Sequence, residues 1–149
     1  MKKFITGAVV VLGLSMLGSA AQADSFGVRT GYPFLGVQYT MGGAPSTPGL
    51  RFVLSSLFVN ANLQADYLLH MPLPSLENFS LYYGGGANLD VAFGGGFGIG
   101  AQGTVGVEYQ LTHQLSIFGD TSLGVTFRPS SAAPIQPYYG GGFGVNFRI

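Results

Sequence analysis

The sequence contains no cysteine, so neither disulfide staples nor a thiolate metal site is open to it. Charge is almost as scarce, with six basic and six acidic side chains in 149 residues, where soluble domains carry charge on about a quarter of their positions. Lysine does not occur beyond Lys3, and without a basic patch the chain lacks the means to neutralise a phosphate backbone, which excludes nucleic acid as a partner. Histidine is limited to His70 and His113, too few and too far apart in sequence for a metal ligand set. Nor does any stretch after residue 23 offer the roughly 20 apolar residues that a helix needs to cross a bilayer.

What is present begins at the N-terminus. Lys2 and Lys3 precede an uncharged apolar run from Phe4 to Leu17 and small residues ending in Ala21-Gln22-Ala23, the pattern of a secretory signal peptide. Cleavage is expected between Ala23 and Asp24. The alternative, a retained anchor, is disfavoured because the run falls short of a helical span. The chain therefore divides into a signal peptide, 1–23, and one domain, 24–149, which carries Arg29, Arg51, Arg128 and Arg148 against Asp24, Asp66, Glu77, Asp90, Glu108 and Asp120.

That domain is patterned with period two. From Phe97 to Leu111 the odd positions read Phe97, Ile99, Ala101, Gly103, Val105, Val107, Tyr109 and Leu111, against Gly98, Gly100, Gln102, Thr104, Gly106, Glu108 and Gln110. One greasy and one polar face at period two is a strand. Ala61, Leu63, Ala65, Tyr67 and Leu69 alternate in the same way, with Leu68 alone breaking the pattern, and a register change is expected near Pro33. The alternation gives eight strands at 25–32, 34–41, 50–58, 60–70, 79–93, 97–111, 114–128 and 136–149, of which 50–58 is the least regular. A first strand that bends would leave seven. With helical spans excluded, an all-β, up-and-down, antiparallel transmembrane barrel is the remaining route through a bilayer, since closure leaves no backbone group facing hydrocarbon. The main loops are 42–49, 71–78 and 129–137; parity puts the first two on the periplasmic side and the third outside.

Face assignment places Arg29, Arg51, Asp66, Asp90, Glu108, Asp120, Arg128 and Arg148 all on the polar face. In an eight-stranded barrel that face points into a lumen only wide enough for side chains to fill, so a neutral ion-pair network with Gln38, Gln64, Gln102 and Asn146 is expected there. Removing Glu108 should then orphan a buried arginine, at about 3 kcal/mol. A soluble barrel with the faces reversed is the alternative, and so few charges could not wet its surface. The near-repeats Tyr82-Tyr83-Gly84-Gly85-Gly86 and Tyr138-Tyr139-Gly140-Gly141-Gly142 suit lumen crowding and aromatic girdles at strand ends. Gly98 to Gly103 is no phosphate loop, as neither a helix nor a lysine follows it.

Signal peptide, eight amphipathic strands, glycine and aromatic punctuation and a last strand ending Val145-Asn146-Phe147-Arg148-Ile149 together resemble the small outer-membrane β-barrels typified by the outer-membrane protein A transmembrane domain. The resemblance implies a bacterial outer-membrane location, outer-membrane lipid as surroundings and recognition of the final strand by the barrel-insertion machinery. That signal is typically closed by an aromatic residue; here Ile149 is last and Phe147 the nearest aromatic. No local histidine–serine–carboxylate spacing accompanies Ser55, Ser56, Ser116 or Ser122, so no enzyme, cofactor or metal is expected. The expectation is a monomeric barrel with a structural or envelope-integrity role. A narrow pore is the alternative, and so is a lipid or small hydrophobic ligand bound at the mouth near Tyr82, Phe118 and Tyr138.

Overall fold

The computed structural model describes residues 24–32, 35–42, 48–57 and 60–149. The expected signal peptide, the register change near Pro33 and the tip of the 42–49 loop lie outside the described residues. Eight strands form one closed antiparallel barrel in chain order: β1 (Ser25–Tyr32), β2 (Leu35–Gly42), β3 (Gly49–Leu57), β4 (Asn60–Pro72), β5 (Phe79–Ala92), β6 (Phe97–Gln110), β7 (Leu115–Phe127) and β8 (Ile135–Arg148). Closure comes from β1 pairing with β8 from Ser25↔Arg148 to Tyr32↔Gly141, so among the described strands no edge is left unpaired.

The faces fall as the alternation requires. Outward positions of β6 run Phe97, Ile99, Ala101, Gly103, Val105, Val107 and Tyr109, and the cross-strand register keeps each beside another outward residue, as in Ile99↔Phe127 and Val105↔Thr121. Among the described outward strand positions none is charged, and the polar exceptions are hydroxyls such as Thr30, Ser56 and Thr121. Large apolar side chains are the exposed ones, Leu123 at 66 % and Phe143 at 65 %, while Arg51 and Asp66 are at 2 % and 0 %. This is a soluble protein's polarity turned inside out, and it requires a hydrocarbon surround.

Two features of the inner face depart from a uniformly polar lining. Val53 and Leu68 point inward and are buried, which accounts for the irregularity of the third strand and for the break at Leu68. The tyrosine pairs also divide: Tyr83 and Tyr139 face outward in the body of their strands, opposite Val105 and Leu123, whereas Tyr82 and Tyr138 are buried inside. The pairs therefore do not form an aromatic girdle at strand ends, because consecutive residues of a strand take opposite faces. The tight β5–β6 turn depends on Gly95 and Gly96, at φ 101° and 114°, values that side chains rarely tolerate.

Candidate functional site

Among the described residues the charged and amide side chains are concentrated in the lumen. At its centre Arg51 on β3 lies in register with Asp66 on β4 and donates to its Oδ2 from Nη2 at 2.7 Å and from Nε at 3.2 Å. The other arm of Arg51, Nη1, reaches Asp120 Oδ2 on β7 at 2.5 Å. Asp120 also accepts from Arg29 Nη2 at 2.8 Å and from the Tyr82 hydroxyl at 3.1 Å. Two arginines and two carboxylates thus form a neutral cluster whose side chains are between 0 and 7 % exposed. Buried charges persist only when paired and fully hydrogen-bonded, as these are.

From this cluster hydrogen bonds run to both mouths. Toward the end that carries the 93–96 and 128–134 turns, Gln102 Nε2 donates to Asp66 Oδ1 at 2.8 Å and to Gln64 Oε1 at 3.3 Å. Gln64 Nε2 then donates to Asn62 Oδ1 at 2.7 Å and to the Tyr138 hydroxyl at 2.8 Å. Asn62 donates to Asp90, which pairs with Arg128 at 3.2 Å. Toward the opposite mouth Arg29 Nη1 donates to Gln38 Oε1 at 3.5 Å, and Gln38 Nε2 to Asn146 Oδ1 at 2.7 Å. Asn146 Nδ2 reaches Glu108 Oε1 at 3.4 Å, and Ser116 donates to the same carboxylate. Below the ionic cluster on this side Leu68, Tyr82 and Phe118 pack together.

Of the eight charged residues expected in the lumen, Arg29, Arg51, Asp66 and Asp120 meet at the centre, and Asp90 and Arg128 meet at one mouth. Glu108 and Arg148 do not pair. Glu108 has Ser80 and Phe118 as its cross-strand neighbours, it forms no ion pair with an arginine among the described residues, and its Oε1 accepts from Ser116 and Asn146. The expectation that its loss would orphan a buried arginine is therefore corrected. Arg148 lies at the end of β8 opposite Ser25, beyond reach of the central carboxylates. Asn62, Asn88, Tyr82 and Tyr138 belong to the network and were not singled out as members; their even parity on β4, β5 and β8 was the available signal. Tyr82 and Phe118 pack inside while Tyr138 lines the other mouth, so the three do not share one opening.

Space remains at each end. One vestibule, of about 430 Å³, is lined by Asp90, Arg128, Gln136 and Tyr138 among others. The opposite mouth holds a cavity of about 230 Å³ with His70, Ser80, Glu108, Gln110 and Arg148 in its walls. No cluster of three or more histidine, aspartate or glutamate side chains with metal-binding geometry occurs among the described residues.

Comparison with solved structures matches this barrel to Neisserial surface protein A, at a TM-score of 0.59 and 13 % identity over 86 % of this chain and 95 % of that one. The fold is that of a small outer-membrane β-barrel. CarO2 of Acinetobacter baumannii also matches this outer-membrane barrel, at a TM-score of 0.49 and 11 % identity over 88 % of this chain and all of that one. No protein-family model and no curated protein matches the sequence. At 13 % identity this barrel shares its fold with Neisserial surface protein A, and its lumen has to be understood from its own residues.

Proposed function

We infer that this outer-membrane barrel has a structural, envelope-integrity role, with its lumen closed by the ion-pair network. The observation that carries the reading is the buried cluster of Arg29, Arg51, Asp66 and Asp120, joined by side-chain hydrogen bonds to both mouths. A solute crossing the barrel would have to separate these charges in a confined space, where stranded ions are costly. The role assigned is not catalytic: Glu108 is held by Ser116 and Asn146, and the Nδ1 of His70 bonds to neither serine nor carboxylate. In this reading residues 1–23 are removed on export, and the barrel-insertion machinery places 24–149 as a monomer among outer-membrane lipids.

A narrow pore is the second reading, favoured by the two vestibules that face each other across the cluster. A hydrophobic ligand has less support, because Tyr82 and Phe118 are packed against Leu68 and do not open onto the vestibule that Tyr138 lines. Single-channel recording of pure 24–149 in planar bilayers separates the first two readings. A closed structural barrel gives no steady openings; steady openings of defined conductance would replace it with the pore.

A further inference from the structure

All six side-chain carboxylates of the chain are Asp24, Asp66, Glu77, Asp90, Glu108 and Asp120, and all six lie within the described residues. Three of the four arginines after residue 23 use them: Arg29 and Arg51 at the centre, Arg128 at the mouth that carries the 93–96 and 128–134 turns. Arg148 forms no ion pair and no side-chain hydrogen bond within the described barrel. Arg148 lines the 230 Å³ cavity together with His70, Ser80, Glu108 and Gln110, and it also borders a small recess that Arg51 and Tyr82 line. His70 is itself buried at 9 % exposure and its Nδ1 has no partner. An unsatisfied buried nitrogen is costly. His70 lines this cavity, so an acceptor bound there would give its ring a hydrogen-bond partner.

We propose that this cavity is an oxyanion site, taking the phosphate or carboxylate group of a small hydroxylated solute or of a lipid headgroup. Arg148 is the charged donor, with its forked N–H groups matched to two oxygens. His70 is the second donor, and Ser80 and Gln110 are neutral ones. Glu108 shapes the choice of anion. One of its oxygens is engaged by Ser116 and Asn146, and the carboxylate disfavours a bare dianion while accepting a hydrogen bond from a hydroxyl. The site therefore selects a monoanion that carries an O–H, such as dihydrogen phosphate or a hydroxy acid. The volume suits a group of that size and excludes an acyl chain.

The test uses 24–149 refolded in a phosphate-free maltoside detergent. Inorganic phosphate is titrated near pH 6 at constant ionic strength in chloride, and the His70 ring and Arg148 side-chain NMR signals are followed. The expected result is a saturable shift in both, weakened tenfold or more by Arg148→Gln, less by Arg148→Lys, and unchanged by Arg128→Gln at the other mouth. Each variant is checked for heat-shifted gel mobility, so that misfolding is not mistaken for lost binding. No saturation, equal shifts in chloride alone, or a titration that survives Arg148→Gln would overturn the proposal. Repeating the titration in bilayers distinguishes the sources of the anion. If phosphatidylglycerol but not phosphatidylcholine abolishes the response to added phosphate, the ligand is a headgroup; if the response persists in both, it is a free solute.

Discussion

Replacing Asp120 with asparagine tests the central argument about the lumen most directly. The Asp120 carboxylate is 0 % exposed and accepts from Arg29 at 2.8 and 3.4 Å, from Arg51 at 2.5 Å and from Tyr82 at 3.1 Å. Asparagine keeps the shape, removes the charge and turns an N–H₂ group toward at least one guanidinium. Arg51 retains Asp66, but Arg29 loses its charged partner, and the buried cluster goes from neutral to carrying one uncompensated positive charge. Breaking a buried pair in this way costs about 3–5 kcal/mol. Asp90→Asn is the internal comparison: its partner Arg128 is 46 % exposed and 3.2 Å away, and pairs of that kind contribute about 0–1 kcal/mol. Urea unfolding of the refolded barrel, followed by loss of the heat-shifted gel band and by tyrosine fluorescence, gives both numbers. Removing the pair together, as Arg29→Met with Asp120→Leu, should recover part of the loss, since an apolar replacement strands no ion. If Asp120→Asn and Asp90→Asn cost the same, the centre is as well hydrated as the mouth, and the closed-lumen reasoning fails.

Glu108→Ala should destabilise by only about 1–2 kcal/mol in the same assay, because it frees two neutral donors beside an open cavity and no arginine. Gly106→Ala should cost about 1–3 kcal/mol by overpacking, as a methyl there would run into the Tyr82 ring and the Asp120 side chain; pairing it with Tyr82→Leu should lower the penalty. On the outer face Val105→Arg, near the middle of β6, should cost about 2–4 kcal/mol in bilayers, whereas Val107→Leu should change folding stability by less than about 1 kcal/mol. A cheap Val105→Arg would mean that this face does not meet hydrocarbon.

The strands were legible because a membrane barrel obeys period two more strictly than a soluble sheet does. Any polar side chain on the outer face of β6 would meet hydrocarbon, so Phe97 to Tyr109 alternate without error, and the strand bounds fall within two residues of the structure. Parity also put all eight charges on the inner face. It could not say which would meet. Partnership across the lumen depends on strand tilt and stagger: Arg51 finds Asp66 through cross-strand register, and Asp120 from the far side of the bore. Glu108 and Arg148 share the parity of the others but lie too near one end to join the centre. Nor does periodicity decide whether an inward position is polar, so Val53 and Leu68 looked like flaws in β3 and β4 when they are lumen packing.

The abundant glycine follows from the same constraint of a bore that side chains must fill without gap or clash. Each inward aromatic ring stands opposite a glycine on a neighbouring strand: Tyr82 opposite Gly106, Phe118 opposite Gly144 and Tyr138 opposite Gly124. Arg29 is flanked by Gly36 on one side and Gly144 on the other, and Asp120 by Gly106 and Gly142. A Cβ at Gly142 would sit 2.9 Å from the Arg29 guanidinium, displacing the arm that reaches Asp120. Large residues and glycines thus alternate around the wall as small barrels require. The glycines set where the charged side chains can lie flat across the lumen, so the ion pairs are placed by residues that carry no functional group at all.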